Sequence, residues 1–405
     1  MDKYLGVYIH IPFCVSRCAY CDFCSTTGTA RRMPKYQEAL RTHIRESTPQ
    51  LAPYLIDSVY FGGGTPSYYG ARRITELLDE LKSDGQLLRS AEITVECNPD
   101  TVRLSELRAL RRAGVNRLSI GMQSANDDIL RLIGRRHDFR QVEKAVAAAR
   151  RAGFDNVSLD LMYGLPSQTP GDWADSLSRA IALRPEHLSC YGLKLEEGTP
   201  LYRYKDSPFL PSDDEQADMY LYAVETLRDA NYAQYEISNF ALEGYESRHN
   251  LKYWKLDEYM SFGASAHSFV GGVRYSFIAD MQGYIDGVAG LPGAQLLDEY
   301  EEITPQGRAA EYVMLGMRTT QGISRSEYRA IYLSDFDPIE DVLRDYEKHG
   351  WVRGENGRWS FTATGFLLSN QLIGGLLDAQ TERTINAFPW LGENGAGQDT
   401  ETAAV

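Results

Sequence analysis

Four cysteines lie close together near the start of the chain: Cys14, Cys18, Cys21 and Cys24. The first three are separated by three and then two residues, so their thiolates can wrap one face of an iron–sulfur cubane. Three thiolate ligands leave one iron open, which indicates chemistry more than structure. Structural zinc is the alternative, but zinc usually takes two ligand pairs separated by about a dozen residues or more. The spacing therefore favours an iron–sulfur cluster.

Composition excludes several classes of protein. The chain has 405 residues, 42 Lys+Arg, 56 Asp+Glu and a net charge of −14. Such a surface repels phosphate backbones and anionic lipids, so neither nucleic acid nor a membrane surface is expected as the main partner. No run reaches the roughly 18 apolar residues that span a bilayer, and residues 1–14 do not resemble a secretory signal. With clustered cysteines, these features predict a cytoplasmic protein.

The elements that position the cysteines alternate between strands and helices. Short β-rich runs, each followed by one helical stretch, predict parallel β-α-β units with right-handed crossovers. Six units are fewer than the eight of a closed barrel, so we expect an α/β fold with a partial (β/α)6, TIM-like barrel. The predicted strands are residues 5–11, 58–61, 91–96, 116–120, 156–161 and 187–195.

Unusual residues follow or end five of these strands, where ligands bind in parallel α/β folds. They predict one shared site. They are the cysteine loop, the glycines 62–64, Glu96, Gln123 and Asp160.

The remaining sequence suggests three further segments. We expect residues 1–235 to form the barrel and 236–300 to form an aromatic, Gly-rich connecting region. Helices followed by a small β-hairpin predict a winged-helix-like domain over 301–380. Residues 381–405 lack periodicity and are predicted to be a disordered tail.

Several ordered motifs make the chain resemble the radical S-adenosylmethionine (SAM) proteins, within the group of oxygen-independent coproporphyrinogen III oxidase. The resemblance covers roughly residues 4–378. Beyond the cysteine motif it rests on YIHIPF (8–13), GGGTPS (62–67), ECNP (96–99), SIGMQS (119–124), DLMYGLP (160–166) and RHNLKYW (248–254).

The resemblance implies a [4Fe–4S] cluster held by Cys14, Cys18 and Cys21, with SAM chelating the open iron. It further implies a SAM site at the following residues: Tyr8, Tyr20, Gly63, Gly64, Thr65, Glu96, Gln123, Arg135 and Asp160. For Arg135 the adjacent Arg136 leaves open which side chain points inward. For Tyr8 and the glycines, core packing and a tight turn are the alternatives.

Two departures from the oxidase resemble the haem chaperone branch of the group. Phe23 stands where the oxidase has a further cysteine, with Cys24 one position beyond, and thirteen residues precede Cys14. This branch also has a haem-associated motif similar to the one around His249, which implies His249 as a haem ligand. A structural histidine within the loop is the alternative, and His267 is a weaker ligand candidate.

We therefore expect a haem chaperone that binds haem, a [4Fe–4S] cluster and SAM, with apo-haemoproteins and a reductant protein as partners. The alternative is an oxygen-independent coproporphyrinogen III oxidase, which decarboxylates two propionates oxidatively. A third possibility is a radical SAM enzyme with an unrelated substrate.

Overall fold

The computed structural model describes residues 2–83, 86–332 and 335–387, and for residues 382–387 it describes the backbone alone. The chain divides into two compact units. The first runs to Ile303 apart from Trp254–Leu256, and the second begins at Thr304. Among the described helices, none combines the length and apolar composition needed to cross a lipid bilayer.

Six parallel strands form the centre of the first unit, as the alternating pattern predicts. Each pairs with the next one along the chain, from β1 through β6. The strands are β1 (Lys3–Ile11), β2 (Tyr54–Gly63), β3 (Leu87–Cys97), β4 (Arg117–Gln123), β5 (Val157–Tyr163) and β6 (His187–Gly192).

Helices follow these strands and supply apolar faces that cover the sheet. They are α1 (Met33–Glu46), α2 (Thr48–Leu51), α3 (Pro66–Tyr69), α4 (Ala71–Ser83), α5 (Leu104–Ala113), α6 (Asp127–Leu132), α7 (Phe139–Ala152), α8 (Pro170–Ala182) and α9 (Asp213–Asp229). Alternate residues of a strand point to opposite faces. Leu118 and Ile120 of β4 therefore join the buried core, while Arg117 and Ser119 face the opposite side.

The segment 236–303 joins the same sheet, although we expected residues 236–300 to be a connecting region. It extends the sheet beyond β1 by four strands, because β9 pairs in parallel with β1. Strand β7 (Ala233–Gln234) precedes the segment. The elements of the segment are β8 (Asn239–Ala241), α10 (Arg248–Lys255), β9 (Tyr259–Phe262), β10 (His267–Val270), β11 (Val273–Phe277), α11 (Met281–Val288) and β12 (Leu297–Glu302).

The second unit has the helices and hairpin expected of a winged-helix-like domain. Its three-stranded sheet has the order β13-β15-β14. The elements are α12 (Pro305–Gly316), β13 (Ile323–Ser324), α13 (Arg325–Tyr332), α14 (Asp337–Lys348), β14 (Val352–Glu355), β15 (Arg358–Phe361), α15 (Ala363–Leu367) and α16 (Ser369–Ala387). Helix α16 includes residues 381–387 of the predicted tail, and residues 388–405 lie outside the described residues.

Candidate functional site

A cavity of about 430 Å³ lies at the carboxyl ends of the parallel strands. Eleven of the predicted site residues line it, so the structure brings together nearly the whole set. They are Cys14, Cys18, Cys21, Tyr20, Gly63, Gly64, Thr65, Glu96, Gln123, Arg135 and Asp160. Tyr8 and His249 are the two predicted residues outside this lining.

The cysteine loop is fixed by backbone hydrogen bonds on both sides. Cys14 N donates to Thr26 O at 2.9 Å, and Thr26 N donates to Pro12 O at 2.7 Å. Ala19 N donates to Ile133 O at 2.9 Å. These bonds hold the segment that carries the three thiols over the cavity.

The three thiols match the donor set of an iron–sulfur cluster. Cys14, Cys18 and Cys21 are unpaired by disulfides and line one cavity. Throughout the described residues, no three His, Cys, Asp or Glu side chains are grouped tightly enough for a single metal ion. In an iron–sulfur cluster each cysteine binds a different iron, so the three thiols need not meet at a single ion. Burial raises the pKa of the Cys14 and Cys21 thiols, so cluster assembly would release protons.

Cys24 points away from this donor set. It does not line the cavity, and its Sγ lies 3.6 Å from Ala279 O. Its carbonyl oxygen accepts a hydrogen bond from His10 Nε2 at 2.8 Å. The one-residue offset from Phe23 thus changes the direction of the side chain, as expected from the sequence, and His10 helps to fix the loop.

The glycine run is required by the close approach of β1 and β2, whose ends pair His10 with Gly62 and Ile11 with Gly63. A Cβ on Gly63 would lie 2.4 Å from the His10 ring, and Gly63 has a φ of +105°. A Cβ on Gly64 would lie 2.8 Å from Ile11 O. Packing against β1 therefore requires glycine at both positions, which also line the cavity.

Glu96 sits on the cavity wall with two local donors. Tyr60 Oη donates to Glu96 Oε1 at 2.9 Å, and Gly63 N donates to Oε2 at 3.2 Å. Burial raises the pKa of Glu96 to about 7, against the lowering effect of the Tyr60 hydrogen bond. The carboxyl group therefore changes protonation near neutral pH and is able to donate or accept a hydrogen bond.

Arg135, not Arg136, points inward, which answers the question that the sequence left open. Its Nη2 donates to Gly121 O at 2.7 Å and to Asn98 Oδ1 at 3.0 Å, while Nη1 donates to Cys18 Sγ at 3.4 Å. Arg136 instead forms an exposed ion pair with Asp100. Arg135 thus places positive charge beside a predicted cluster ligand.

Asp160 lies on β5 among serine hydroxyl groups. Ser119 Oγ lies 2.9 Å from one carboxylate oxygen, and Ser189 Oγ lies 2.8 Å from the other. Burial raises the pKa of Asp160, whereas the Ser189 and Ser119 hydrogen bonds act in the opposite direction. Asp160 is therefore a buried carboxylate solvated by neutral donors, consistent with a position held for a ligand.

Gln123 ends β4 with a φ of 64°, a conformation that non-glycine residues rarely adopt. The β4–β5 register is irregular between Gly121 and Gln123. Backbone strain of this kind clusters at functional sites. Gln123 itself lines the cavity.

His249, predicted as a haem ligand, lies outside the cavity lining and is buried among polar and aromatic side chains. The residue is 1% exposed, and Nδ1 and Nε2 lie 2.9 Å from Ser58 Oγ and Tyr253 Oη respectively. The imidazole stacks on Tyr60, with ring centroids 5.3 Å apart. Both ring nitrogens are therefore engaged, so the structural alternative fits this geometry. Tyr8 belongs to the same aromatic group, since its ring stacks against His249.

Sequence reasoning missed Arg117, which also lines the cavity. Arg117, Ser119, Gly121 and Gln123 are alternate residues of β4 and all lie on the cavity side. In the sequence, the alternation of side chains along the SIGMQ strand (119–123) extends back by two positions to Arg117. This alternation was the signal that could have placed Arg117 in the site.

Comparison with known proteins agrees with this architecture. Residues 8–180 match the radical SAM superfamily, and residues 303–368 match the HemN C-terminal domain. The protein named Heme chaperone HemW from Bacillus subtilis is 36% identical over 92% of this chain and 99% of its own length. Its Escherichia coli namesake is 32% identical over 91% and 97%. The chain belongs to the HemW family.

A solved structure related to this family shows the same fold. Coproporphyrinogen III oxidase (HemN) from Escherichia coli matches with a TM-score of 0.81 and 25% identity, over 94% of this chain and 90% of that chain. The match confirms the TIM-like partial barrel with a C-terminal helical domain. Membership of the radical SAM superfamily implies a [4Fe–4S] cluster and SAM as cofactors.

Proposed function

We propose that this chain is a haem chaperone, which binds haem and transfers it to apo-haemoproteins. The observation that supports this proposal is the similarity to proteins named Heme chaperone HemW, at 29–36% identity over most of the chain. Clustered cysteines without disulfides suit a reducing compartment, so we place its action in the cytoplasm.

Cys14, Cys18 and Cys21 would hold the cluster in this proposal. Thr65 Oγ1 lies 3.3 Å from Cys14 Sγ, and Arg135 donates to Cys18 Sγ, so both groups act on sulfur charge. When bound, the cluster supplies single-electron chemistry to SAM, and a reductant protein would have to supply the electron. The chain itself contributes the cavity and the positive charge of Arg135 beside Cys18.

The SAM site would use the other residues of the cavity wall. Gly63 and Gly64 carry no side chain, so SAM would be able to approach the protein backbone closely at these positions. Glu96 offers hydrogen bonds to ribose hydroxyl groups in either protonation state. Tyr20, Thr65, Gln123, Arg135 and Asp160 would complete the lining.

The second candidate is coproporphyrinogen III oxidation, favoured by the structural match to the Escherichia coli oxidase. Anaerobic reconstitution with iron and sulfide, followed by haem titration and by incubation with coproporphyrinogen, SAM and a reductant, separates the two. We expect stoichiometric haem uptake and no conversion of coproporphyrinogen. Multiple turnovers of coproporphyrinogen would contradict the chaperone proposal and establish the oxidase.

A further inference from the structure

Arg117 is a buried cation facing the cavity. It lies on β4, is 1% exposed and lines the cavity wall. Its Nε has no hydrogen-bond partner among the residues that the structure describes. A buried guanidinium nitrogen without a hydrogen-bond partner is costly for a folded protein, so this position points to a group that the fold itself does not supply.

The carboxylates near Arg117 are already satisfied by other donors. Glu92 accepts the backbone N–H groups of Arg248 and His249, at 3.1 and 3.0 Å. Asp160 accepts the hydroxyl groups of Ser119 and Ser189. These carboxylates supply a compensating field for the guanidinium but no direct bond.

Arg117 remains protonated among these carboxylates. Burial acts to lower its pKa, but the charge of Glu92, followed by Tyr60, Tyr235 and Asp160, acts more strongly in total and raises it. Arg117 thus keeps a permanent positive charge at the cavity wall, and its buried Nε lacks a hydrogen-bond partner.

We propose that Arg117 binds a carboxylate of the ligand that enters this cavity, and that the carboxylate is a propionate of haem. A guanidinium forms paired, charge-assisted hydrogen bonds with a carboxylate. The propionate assignment rests on the proposed haem chaperone function.

The same cavity offers apolar surface for the rest of such a ligand. Phe23 is 63% exposed and Tyr191 is 40% exposed, and both line the cavity. The flat apolar macrocycle of a tetrapyrrole would pack on the exposed aromatic rings. Its carboxylates, which are carried on short chains, would reach the buried cation. This pairing fits the propionate-bearing edge of an amphipathic tetrapyrrole.

SAM is the other source of a carboxylate. In the arrangement expected from the radical SAM resemblance, the SAM carboxylate binds the open iron beside the cysteine loop. That role leaves no second carboxylate on SAM for Arg117. The propionate is therefore favoured, and separate titrations with SAM and with haem distinguish the two sources.

The test compares haem with haem dimethyl ester, in which both propionates are masked. The reconstituted wild-type chain, Arg117→Gln and the control Arg150→Gln are titrated with each. Arg150 pairs with Glu186 and does not line the cavity. We expect Arg117→Gln to weaken haem binding at least tenfold, the usual scale for a hydrogen bond to a charged group, and to leave ester binding unchanged. Arg150→Gln should change neither.

Three outcomes would overturn the proposal. Equal weakening of haem and ester binding would make Arg117 a structural residue. Weaker SAM binding with unchanged haem binding would assign the carboxylate to SAM. Failure of the wild-type chain to bind haem would contradict the proposed function itself, and the propionate assignment with it. If Arg117→Gln does not fold, Arg117→Lys keeps the charge but not the paired geometry, and should weaken haem alone by a smaller factor.

Discussion

Individual side chains in the cysteine loop have separate roles that the sequence allows one to predict. Three thiols line the cavity, and the fourth, Cys24, turns toward Ala279. One position along the chain is enough to change the direction of a side chain outside a helix. The identity of the cluster ligands can therefore be tested one cysteine at a time.

Cys18→Ala should abolish stable cluster assembly, because two thiolates cannot hold three irons of a cubane. Iron and acid-labile sulfide are measured after anaerobic reconstitution, with Cys24→Ala as the matched control. We expect about four irons per chain for the wild type and for Cys24→Ala. A full cluster in Cys18→Ala, or loss of the cluster in Cys24→Ala, would refute the ligand assignment.

His249 shows what a local motif leaves open. The residue type suits haem iron, but the histidine contacts Ser58 and Tyr60 from β2, about 190 residues away, as well as Tyr253 one turn along its own helix. Local sequence does not reveal such enclosure. Arg117 is the converse case: its alternate position on β4 could be read from the sequence, but the missing partner of its Nε is visible only in the structure.

We expect His249→Gln to destabilise the chain by about 1–3 kcal/mol, because at least one buried polar partner loses its bond. We expect the Soret maximum of the haem-loaded variant to equal that of the wild type, because both ring nitrogens of His249 already have hydrogen-bond partners. Thermal melting and absorbance spectroscopy measure the two effects. A shifted Soret band with unchanged stability would restore His249 as an axial ligand.

At the scale of elements, the parallel strands were predictable and their later extension was not. The six central strands alternate with helices at regular spacing, so their hydrophobic pattern is local. Strand β9 instead pairs with β1 across some 250 residues, and strands β10–β12 build outward from it. Pairing of this range leaves no local signal. Helix α9 was also missed, although Ser212 and Glu215 form a capping box at its start.

The junction of β1 and β2 is the element contact on which the site depends most. Gly64→Ala would place a Cβ 2.8 Å from Ile11 O, a backbone atom that cannot move alone. We expect a loss of about 1–3 kcal/mol in unfolding free energy, typical of overpacking. Gly171→Ala is the control, because its nearest neighbour would be Thr169 Oγ1 at 3.6 Å. Chemical unfolding measures both, and equal stability of the two variants would contradict the packing role.

At the scale of the whole molecule, the average charge conceals a different local balance. The chain carries a net charge of −14, yet four basic and four acidic residues line the cavity. The basic ones are Arg17, Arg117, Arg135 and Lys194. Anionic ligands can therefore enter a molecule whose surface as a whole repels nucleic acid.

Buried acids also make stability depend on pH. Burial raises the pKa of Glu236 to about 7, from 4.5 in an unfolded chain, so the folded state retains a proton that the unfolded state loses. This contribution to stability is present below pH 4.5 and is lost as the pH rises to about 7. Glu236→Gln should therefore gain roughly 2–3 kcal/mol relative to the wild type between pH 5 and pH 8. Urea unfolding at both pH values checks this, and a constant difference would contradict it.

Transfer of haem is the most direct test of the chaperone function. The haem-loaded chain is mixed with an apo-haemoprotein whose holo spectrum is distinct, and a loaded Arg117→Gln variant is compared at equal haem content. We predict that the holo spectrum appears at a rate that depends on the concentration of the recipient, with the chain left haem-free. Transfer at a rate set only by spontaneous haem release, or no transfer at all, would contradict the chaperone function.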